Sequence, residues 1–288
     1  MDYQKKPSWL KSKLPSHSAC FQVAELLKKE NLHTICESAH CPNLGECWER
    51  HTATFLILGN LCTRNCGFCA VPKGQPLPVD EHEPESVLAA VKAMGLRYVV
   101  ITSVTRDDLI DGGAEIFART TRLIKDYNSE IKVEVLIPDF KGEAEPLQKV
   151  LTSGPDILNH NLETVERIYP VINRPKTNYR RSLKVIKMAK DNGAITKSGL
   201  MVGLGETREE LRQTMQDLRE NGCDLLTIGQ YLQPSLKHQP VARYYDPEEF
   251  EKLREMALEL GFLEVVSGPL VRSSYLADKL YRSVEVHN

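Results

Sequence analysis

Several familiar signals are missing from this sequence, and their absence narrows what the chain can be. Its 288 residues hold no apolar stretch long enough to cross a bilayer, and the first residues lack the apolar centre of a secretory signal. The formal net charge is only −2, so no strong field points to nucleic acid or to a membrane surface. P-loops, nucleophile elbows, internal repeats and metal-spaced histidines are also lacking. We therefore expect a cytoplasmic protein in which thiols stay reduced.

Short apolar runs alternate with longer amphipathic stretches through most of the chain. The runs predict strands, and the stretches between them predict helices because their apolar residues recur with helical spacing. Strand–helix units in series indicate parallel strands with right-handed crossovers. We therefore predict an α/β fold, a partial (β/α)6 barrel, with a doubly wound sheet as the alternative. The predicted strands are residues 54–59, 97–102, 132–137, 156–163, 197–204 and 225–232.

Extensions are expected on both sides of this barrel. The barrel is predicted over residues 51–262, after an irregular extension over residues 1–50 and before a C-terminal extension over residues 263–288. An amphipathic helix is predicted at residues 18–30, and "EVVSGPLVRSSY" predicts an extra strand that leads into a polar loop. Polar residues crowd the C-terminal ends of the barrel strands, and this rim carries the active site in parallel α/β barrels.

Six of the eight cysteines lie within 34 residues, in two unlike groups of three. Cys62, Cys66 and Cys69 follow the first predicted barrel strand with the spacing C-x-x-x-C-x-x-C. Three thiolates on one tight loop can hold three irons of a 4Fe–4S cubane and leave the fourth iron open for a substrate or cofactor. The alternative is a zinc site that takes a fourth ligand from elsewhere, such as His51.

Cys36, Cys41 and Cys47 form the second group, spaced C-x-x-x-x-C-x-x-x-x-x-C. Two groups of three predict two 4Fe–4S clusters. One alternative is structural zinc, although cysteine pairs on zinc usually lie two to four residues apart. Another is a two-cluster ferredoxin, although its cysteines come in runs of four. Cys20 and Cys223 lie outside both groups and are interpreted as small apolar positions.

Three motifs resemble the radical S-adenosylmethionine superfamily, whose fold is a full or partial (β/α) barrel. "CTRNCGFC" resembles its cluster signature. "DGGA", with Gly112 and Gly113, resembles the motif at the methionine end of S-adenosylmethionine, although Ala114 replaces the glutamate of that motif. "GLMVGLGE", with Gly203 and Glu206, matches the pattern near the adenine. The resemblance implies that the open iron binds S-adenosylmethionine, which is cleaved by one electron to methionine and a 5′-deoxyadenosyl radical.

The upstream cysteine trio resembles the hallmark of the lipoyl synthase family. "VEVLIPDFKG", "HNLETV", "RPKTNYRRSL", "IGQYLQPS" and "GPLVRSSYLA" also look like motifs of that family, and the resemblance runs from about residue 36 to 277. It implies sulfur insertion at carbons six and eight of an octanoyl chain amide-linked to a carrier lysine. The carrier would be a lipoyl domain of a 2-oxoacid dehydrogenase or the glycine-cleavage carrier protein. Two deoxyadenosyl radicals would remove hydrogen in turn, and the auxiliary cluster would be consumed as the sulfur donor.

This resemblance also implies partners and a fourth cluster ligand. The partners are an electron donor such as ferredoxin or flavodoxin and a protein that rebuilds the auxiliary cluster, and the chain is expected to be a monomer. A serine of "RSSY" is implied as the fourth ligand of the auxiliary cluster. We assign that role to Ser274, with Ser273 as the alternative. The residues alone favour a hydroxyl-capped turn at this position.

Polar residues near the predicted rim are expected to contact S-adenosylmethionine. They lie at predicted strand ends or in rim loops, where a salt bridge is the alternative to a ligand contact. Arg64, inside the cluster loop, is expected either to offset cluster charge or to face solvent. The expected contacts are Glu134, Asn159, Arg174 and Glu206.

Other classes of protein share part of this pattern. A biotin synthase-like enzyme has the radical trio but lacks the upstream trio. Methylthiotransferases have a second trio, but theirs belongs to a separate N-terminal domain, and the 50 residues upstream are too few for one. A non-catalytic iron–sulfur protein would not cleave S-adenosylmethionine, and a zinc protein would be colourless.

Overall fold

A single sheet organises the molecule. The computed structural model describes residues 6–11, 17–30, 32–39, 41–49 and 54–285. Its eight strands lie side by side in chain order. All neighbouring strands are parallel except the first two, which are antiparallel. The strands are β1 (His33–Thr34), β2 (Thr54–Ile57), β3 (Tyr98–Ser103), β4 (Lys132–Leu136), β5 (Ile157–Asn159), β6 (Thr196–Val202), β7 (Leu225–Gln230) and β8 (Glu264–Gly268).

One helix follows each of the strands β2 to β7, which gives six β/α units. Two of these helices, α8 and α9, begin with a capping box, in which the side chains of the N-cap and of the glutamate three residues on bind each other's backbone amides. The helices in the described residues are α1 (His17–Lys29), α2 (Ile35–Ser38), α3 (Leu44–Glu49), α4 (Glu83–Met94), α5 (Ala114–Tyr127), α6 (Ala144–Leu151), α7 (Thr177–Asp191), α8 (Arg208–Glu220), α9 (Pro247–Glu259) and α10 (Ala277–Glu285).

The strand order confirms the predicted α/β partial barrel. In a doubly wound sheet the chain returns to the middle of the sheet and continues in the other direction, so that alternative is wrong. Within the described residues β1 and β8 are the two edges, and no strand pairing joins them. All six predicted barrel strands are present, although β5 covers only residues 157–159. Helix α1 and strand β8 confirm two further predictions, while the side chain of Phe21, predicted on the buried side of α1, lies outside the described residues.

Successive residues of a strand face opposite sides of the sheet, and this separates two apolar layers. Val99 and Ile101 of β3 are fully buried in the layer beneath the helices. Tyr98 and Val100 face the inside of the barrel and pack with Leu280 of α10. Helix α10 therefore closes the end of the barrel at which the strands begin.

The two extensions are more regular than the sequence predicts. Residues 1–50 are expected to be irregular apart from one helix, but the chain forms α2 and α3 around the upstream cysteines. Strand β1 of the N-terminal extension pairs with β2, and β8 of the C-terminal extension pairs with β7. Both extensions thus share the barrel sheet. No helix in the described parts of the chain combines the length and apolar character needed to cross a membrane.

Candidate functional site

The cysteine loop, residues 62–69, follows β2 at the C-terminal rim of the barrel, as predicted. Its backbone is held on two sides. The Thr63 amide donates to the carbonyl of Thr105 at 3.0 Å, and the Gly67 amide donates to the carbonyl of Ile172 at 2.8 Å. A Cβ on Gly67 would lie 3.4 Å from that Ile172 carbonyl, an ordinary van der Waals distance.

Arg64 anchors the same loop through two carboxylates. Its Nε lies 2.7 Å from Asp107, and its Nη2 lies 2.6 Å from Asp139. Burial alone would raise the pKa of Asp139, but the guanidinium outweighs burial and holds this pKa well below its usual range. Arg64 is mostly buried, so the expectation that it faces solvent is wrong, and its visible role is to fix the loop.

The described cysteines are all thiols, and none forms a disulfide. Burial raises the pKa of the Cys66 thiol and raises that of Cys69 to about 12, so without metal both are protonated at neutral pH. Among the described residues no three His, Cys, Asp or Glu side chains converge closely enough to hold one metal ion. A cubane places each thiolate on a different iron, so it does not require such convergence. His51, the suggested fourth ligand of a zinc site, lies outside the described residues.

Two charged residues after β5 influence these thiols electrostatically. The charge of Glu163 opposes ionisation of Cys66 and Cys69, whereas the charge of Arg174 favours ionisation of Cys66. Glu163 has a left-handed backbone with φ of 75°, which is rare for this residue type and is often found at functional sites. Burial raises its pKa, and Arg174 opposes that shift. The sequence analysis missed Glu163, although its motif "HNLETV" was noted.

Backbone geometry explains why glycine occupies both positions of the motif before α5. Gly112 and Gly113 have φ of 62° and 88° in the turn before α5. A Cβ would meet the Phe140 ring at 2.9 Å from Gly112 and the Leu58 side chain at 2.1 Å from Gly113. Both positions therefore need glycine for local folding. Their contact with S-adenosylmethionine stays a prediction.

Glu206 holds the loop after β6. Its carboxylate accepts from the amides of Gly203 at 2.6 Å and Leu204 at 2.9 Å, and from the hydroxyl of Tyr245 at 2.8 Å. Gly203 has φ of 101°, and a Cβ there would lie 2.1 Å from the Gln230 side chain. The structure thus gives both residues a role in shaping the rim, and their predicted cofactor contacts remain untested.

Glu134 does not lie at a strand end, contrary to the prediction. It is the third residue of β4, fully buried inside the barrel. Its carboxylate accepts from Lys197 at 2.8 Å, from the Tyr98 hydroxyl at 2.7 Å and from the Asn159 amide at 2.8 Å. Asn159 does end β5, and its own Oδ1 is buried without a hydrogen-bond partner in the structure. Of the two, Asn159 therefore has the polar atom that remains available to a ligand.

The upstream trio forms a second site at the other end of the barrel. Cys36 lies in α2, Cys47 in α3, and Cys41 between these helices. All three line one cavity together with Ser274, more than 200 residues further along the chain. Burial raises the pKa of Cys36 to about 11 and also raises that of Cys41. Three thiols and a hydroxyl are a donor set suited to four irons.

Thr54, the first residue of β2, touches two members of this set. Its backbone opposes the rise in pKa that burial gives the Cys36 thiol, and its hydroxyl donates to the Ser274 hydroxyl at 2.9 Å. The neighbouring Ser273 instead accepts from the amide of Asn161 at 2.7 Å. Only Ser274 of the two serines lines the cavity with the cysteines, which favours Ser274 over Ser273 as the fourth ligand. Asn161 was also missed by the sequence analysis.

Contacts between the two extensions close this second site. The Asn43 side chain donates to the carbonyl of Leu270 at 2.7 Å, and the Tyr275 hydroxyl lies 3.1 Å from Glu46. Thr54 and Tyr98 begin their strands and line the cavity, whereas the cysteine loop follows the end of β2. The two thiol groups therefore lie at opposite ends of the barrel.

Known proteins resemble this chain over nearly its whole length. Residues 56–218 match the family model of the radical SAM superfamily. The chain is 54% identical over 277 residues to lipoyl synthase of Caldicellulosiruptor saccharolyticus, covering 96% of this chain and 97% of that protein. It is 55% identical over 279 residues to lipoyl synthase of Alkaliphilus metalliredigens, covering 96% of each.

Solved structures with little sequence identity share the fold. Methylornithine synthase superposes with a TM-score of 0.54 at 13% identity, over 88% of this chain and 79% of that one. The FeFe-hydrogenase maturase HydG from Carboxydothermus hydrogenoformans gives 0.51 at 15% identity, over 93% and 78%. Both likenesses concern the barrel architecture alone.

Proposed function

The chain belongs to the lipoyl synthase family of the radical SAM superfamily, and on this basis we propose the details of how it works. It is a sulfurtransferase that uses S-adenosylmethionine and an iron–sulfur cluster. We infer that it carries two 4Fe–4S clusters and converts an octanoyl-lysine on a lipoyl carrier domain into lipoyl-lysine. The observation that supports two clusters most strongly is the second cavity, which brings three cysteines and Ser274 together at the far end of the barrel.

The residues present fit these groups. Cys62, Cys66 and Cys69 would hold the radical-generating cluster, and Cys36, Cys41 and Cys47 with Ser274 would hold the auxiliary cluster. When bound, the clusters and S-adenosylmethionine supply the radical chemistry and the sulfur. The buried thiols must lose their protons when they bind iron, so assembly releases protons.

The chain's own residues would order and shield the reaction. We propose that the acyl chain enters the barrel interior, because the two sites lie at its opposite ends and the chain must reach both. Helix α10 keeps water out of the end that holds the second cavity, since Leu280 and Ala277 are buried there. Exclusion of water protects a reactive intermediate from side reactions. Arg64 and Gly67 would keep the first cluster loop rigid, because their contacts fix it to three neighbouring segments.

The proposed cofactor contacts lie around the first site. Arg174, Gly112, Gly113, Gly203 and Glu206 belong to rim loops, and Asn159 ends a strand. We propose that Asn159 and Arg174 bind the cofactor directly and that the other residues shape its site. The proposal further includes a ferredoxin or flavodoxin as electron donor, a protein that rebuilds the auxiliary cluster, a monomeric state and a cytoplasmic location.

An iron count tests the two-cluster proposal. The chain and its triple variant Cys36→Ala, Cys41→Ala, Cys47→Ala would be reconstituted without oxygen and analysed for iron and sulfide. We expect about eight irons per chain and about four in the triple variant. The variant should still cleave S-adenosylmethionine with dithionite but form no lipoyl product from an octanoyl-lysyl peptide.

An iron count that does not differ between the two proteins would contradict the two-cluster proposal. About four irons in both proteins would mean that the upstream trio binds no cluster, and the sulfur-donor role would fall. Cys223→Ala is the matched control, because this buried cysteine lies outside both trios and should leave the iron count unchanged.

A further inference from the structure

A positively charged cleft lies beside the cysteine loop at the C-terminal rim. Its volume is about 430 Å³, and Cys66 forms part of its wall. Its lining holds four cationic side chains, Arg64, Lys141, Arg174 and Arg181, and the carboxylate of Asp107. Arg64 pairs with Asp107 and with the buried Asp139, and Arg181 also pairs with Asp139, so these two carboxylates offset two of the four positive charges. The cleft thus brings a cluster-binding thiol to the protein surface within a cationic rim.

The positive charge continues along the neighbouring helix. Residues 171–187 contain six Lys or Arg and no Asp or Glu, in a chain whose net charge is −2. Three of these cations pair with carboxylates outside this range, Arg180 with Glu166, Arg181 with Asp139 and Lys187 with Asp191, so the excess that attracts a partner comes from the others. Lys176, Arg180 and Lys184 are exposed at the start and along the outer side of α7. A local excess of this size attracts an acidic partner and orients it before contact.

Exposed apolar side chains flank the cysteine loop on both sides. Val171 is 51% exposed and directly precedes Ile172, whose carbonyl binds the Gly67 amide. Leu236 is 84% exposed and lies in the turn before His238, whose ring contacts the Cys69 carbonyl at 3.1 Å. Apolar contacts inside a charged surround are the usual anatomy of a protein interface.

The lining of the cleft differs from that of the barrel interior. Its described lining consists of loop residues and the start of α7. Glu134, Asn159 and Lys197, which face the barrel interior, take no part in it. A partner that docked here would meet the cysteine loop at Cys66 and lie next to Arg174, the proposed cofactor ligand.

We propose that this cleft, with the cationic side of α7, is the docking site of a small acidic electron-transfer protein that carries a flavin or an iron–sulfur centre. The inference rests on the proposed function, which requires reductive cleavage of S-adenosylmethionine. The partner loses one electron, and the sulfonium gains it as its carbon–sulfur bond breaks. Electron-transfer complexes have small interfaces and are steered by charge, which suits a local cationic surface beside the cysteine loop.

Charge reversal tests the site. The variant Lys176→Glu, Lys184→Glu removes two cations that have no place in the catalytic machinery, and glutamate at position 176 suits the N-terminus of α7. Formation of 5′-deoxyadenosine would be followed with reduced flavodoxin or with dithionite. We expect kcat/KM for flavodoxin to fall about tenfold at low salt and the difference to shrink at high salt. Dithionite-driven rates should not change.

A control variant and the carrier assay make the result decisive. Lys92→Glu, Lys252→Glu reverses two exposed cations on α4 and α9 and should behave as the parent protein. Equal flavodoxin kinetics in both variants would overturn the proposal. So would a raised KM for an octanoylated carrier domain with unchanged flavodoxin kinetics, because the surface would then bind the substrate carrier. If the parent protein formed no lipoyl product with dithionite, that result would count against the proposed function. It would leave the docking proposal testable, because the 5′-deoxyadenosine assay does not require lipoyl product to form.

Discussion

Ser274 differs from the three cysteines with which it shares a cavity, and the difference is chemical. A hydroxyl is a harder and weaker ligand for iron than a thiolate. A weak fourth ligand would let one iron leave when sulfide is taken from the cluster. The hydrogen bond from Thr54 at 2.9 Å keeps the Ser274 hydroxyl oriented in the meantime.

Replacing this hydroxyl by a thiol should therefore slow turnover and stabilise the cluster. For Ser274→Cys we expect loss of iron to a chelator to slow about tenfold and lipoyl product per chain to fall by a similar factor, equal to about 1.4 kcal/mol in each barrier. Ser273→Cys is the control, because Ser273 binds Asn161 outside the cavity. Full product formation by Ser274→Cys would contradict the proposed role of a labile ligand.

His160 makes the folded state sensitive to acid. Burial lowers its pKa to about 4, from an ordinary value of about 6.5. The neutral ring donates from Nδ1 to the carbonyl of Ile137 and accepts at Nε2 from Ser182, both at 2.9 Å. Between pH 6.5 and 4 this histidine is protonated in the unfolded chain but neutral in the folded chain. The free energy of unfolding therefore falls as the pH falls through this window.

The loss attributable to His160 should reach about 3 kcal/mol by pH 4. Urea unfolding of the parent protein and of His160→Gln at several pH values measures it. The variant should be less stable at pH 7, but its stability should change less between pH 6.5 and 4. His82→Gln, at an exposed position, should keep the slope of the parent protein. If the free energy of unfolding changed equally with pH in the parent protein and in His160→Gln, the acid sensitivity would not come from His160.

At the scale of elements, α10 acts as the floor of the barrel. Leu280 is 2% exposed and packs with Tyr98, Ile157 and Leu225 at the starts of their strands.

Leu280→Ala should lower the free energy of unfolding by about 2–4 kcal/mol, because it leaves a cavity in this layer. Iron should also be lost faster from the auxiliary site, since the floor helps to close it. Leu77→Ala, at an exposed position, should change neither the free energy of unfolding nor the rate of iron loss. An unchanged midpoint in urea for Leu280→Ala would show that α10 is not packed as described.

Elements with strong local patterns were predictable from the sequence. The apolar runs identified β2 to β7, and the strand–helix order placed the cysteine loop at the rim. Helix α9 is the helix that the predicted (β/α)6 barrel requires after β7, and its N-terminal signal is clear, Asp246 before Pro247 with Glu249 in the capping box. Helices α2 and α3 are too short for periodicity to reveal and depend on tertiary packing.

Contacts across long sequence separations could not be predicted in this way. Nothing local places Glu134 against Lys197, 63 residues further along, or Asn161 against Ser273, 112 residues further along. Hence Glu134 was expected at a strand end, and Asn161 and Glu163 were overlooked. The assignment of Ser274 depended on family resemblance, because a polar turn alone carries no information about its distant partners.

At the scale of the whole molecule, the first and last parts of the chain close one site jointly. The Asn43 side chain binds the Leu270 carbonyl, and Tyr275 binds Glu46. Removal of the buried Asn43 donor leaves an unpaired acceptor, at a cost of about 1–3 kcal/mol. The two extensions should therefore open together rather than separately.

Hydrogen exchange checks this coupling. In Asn43→Ala we expect faster exchange at residues 41–49 and also at residues 264–275, by about tenfold in both. Exchange in β3 and β4 should not change. Asn128→Ala, at the exposed end of α5, is the control. Faster exchange in only one of the two segments would contradict joint closure.

Strand β2 connects the second cavity at its first residue to the cysteine loop that follows its last residue. Thr54 at its first residue contacts Cys36 and Ser274, and Cys62 follows its last residue by only five positions. A strand that slips by one residue turns every side chain to the opposite face. An insertion or deletion in these few residues would therefore misplace Thr54 and the cysteine loop in one step. The length of this short strand therefore sets the distance between the second cavity and the cysteine loop.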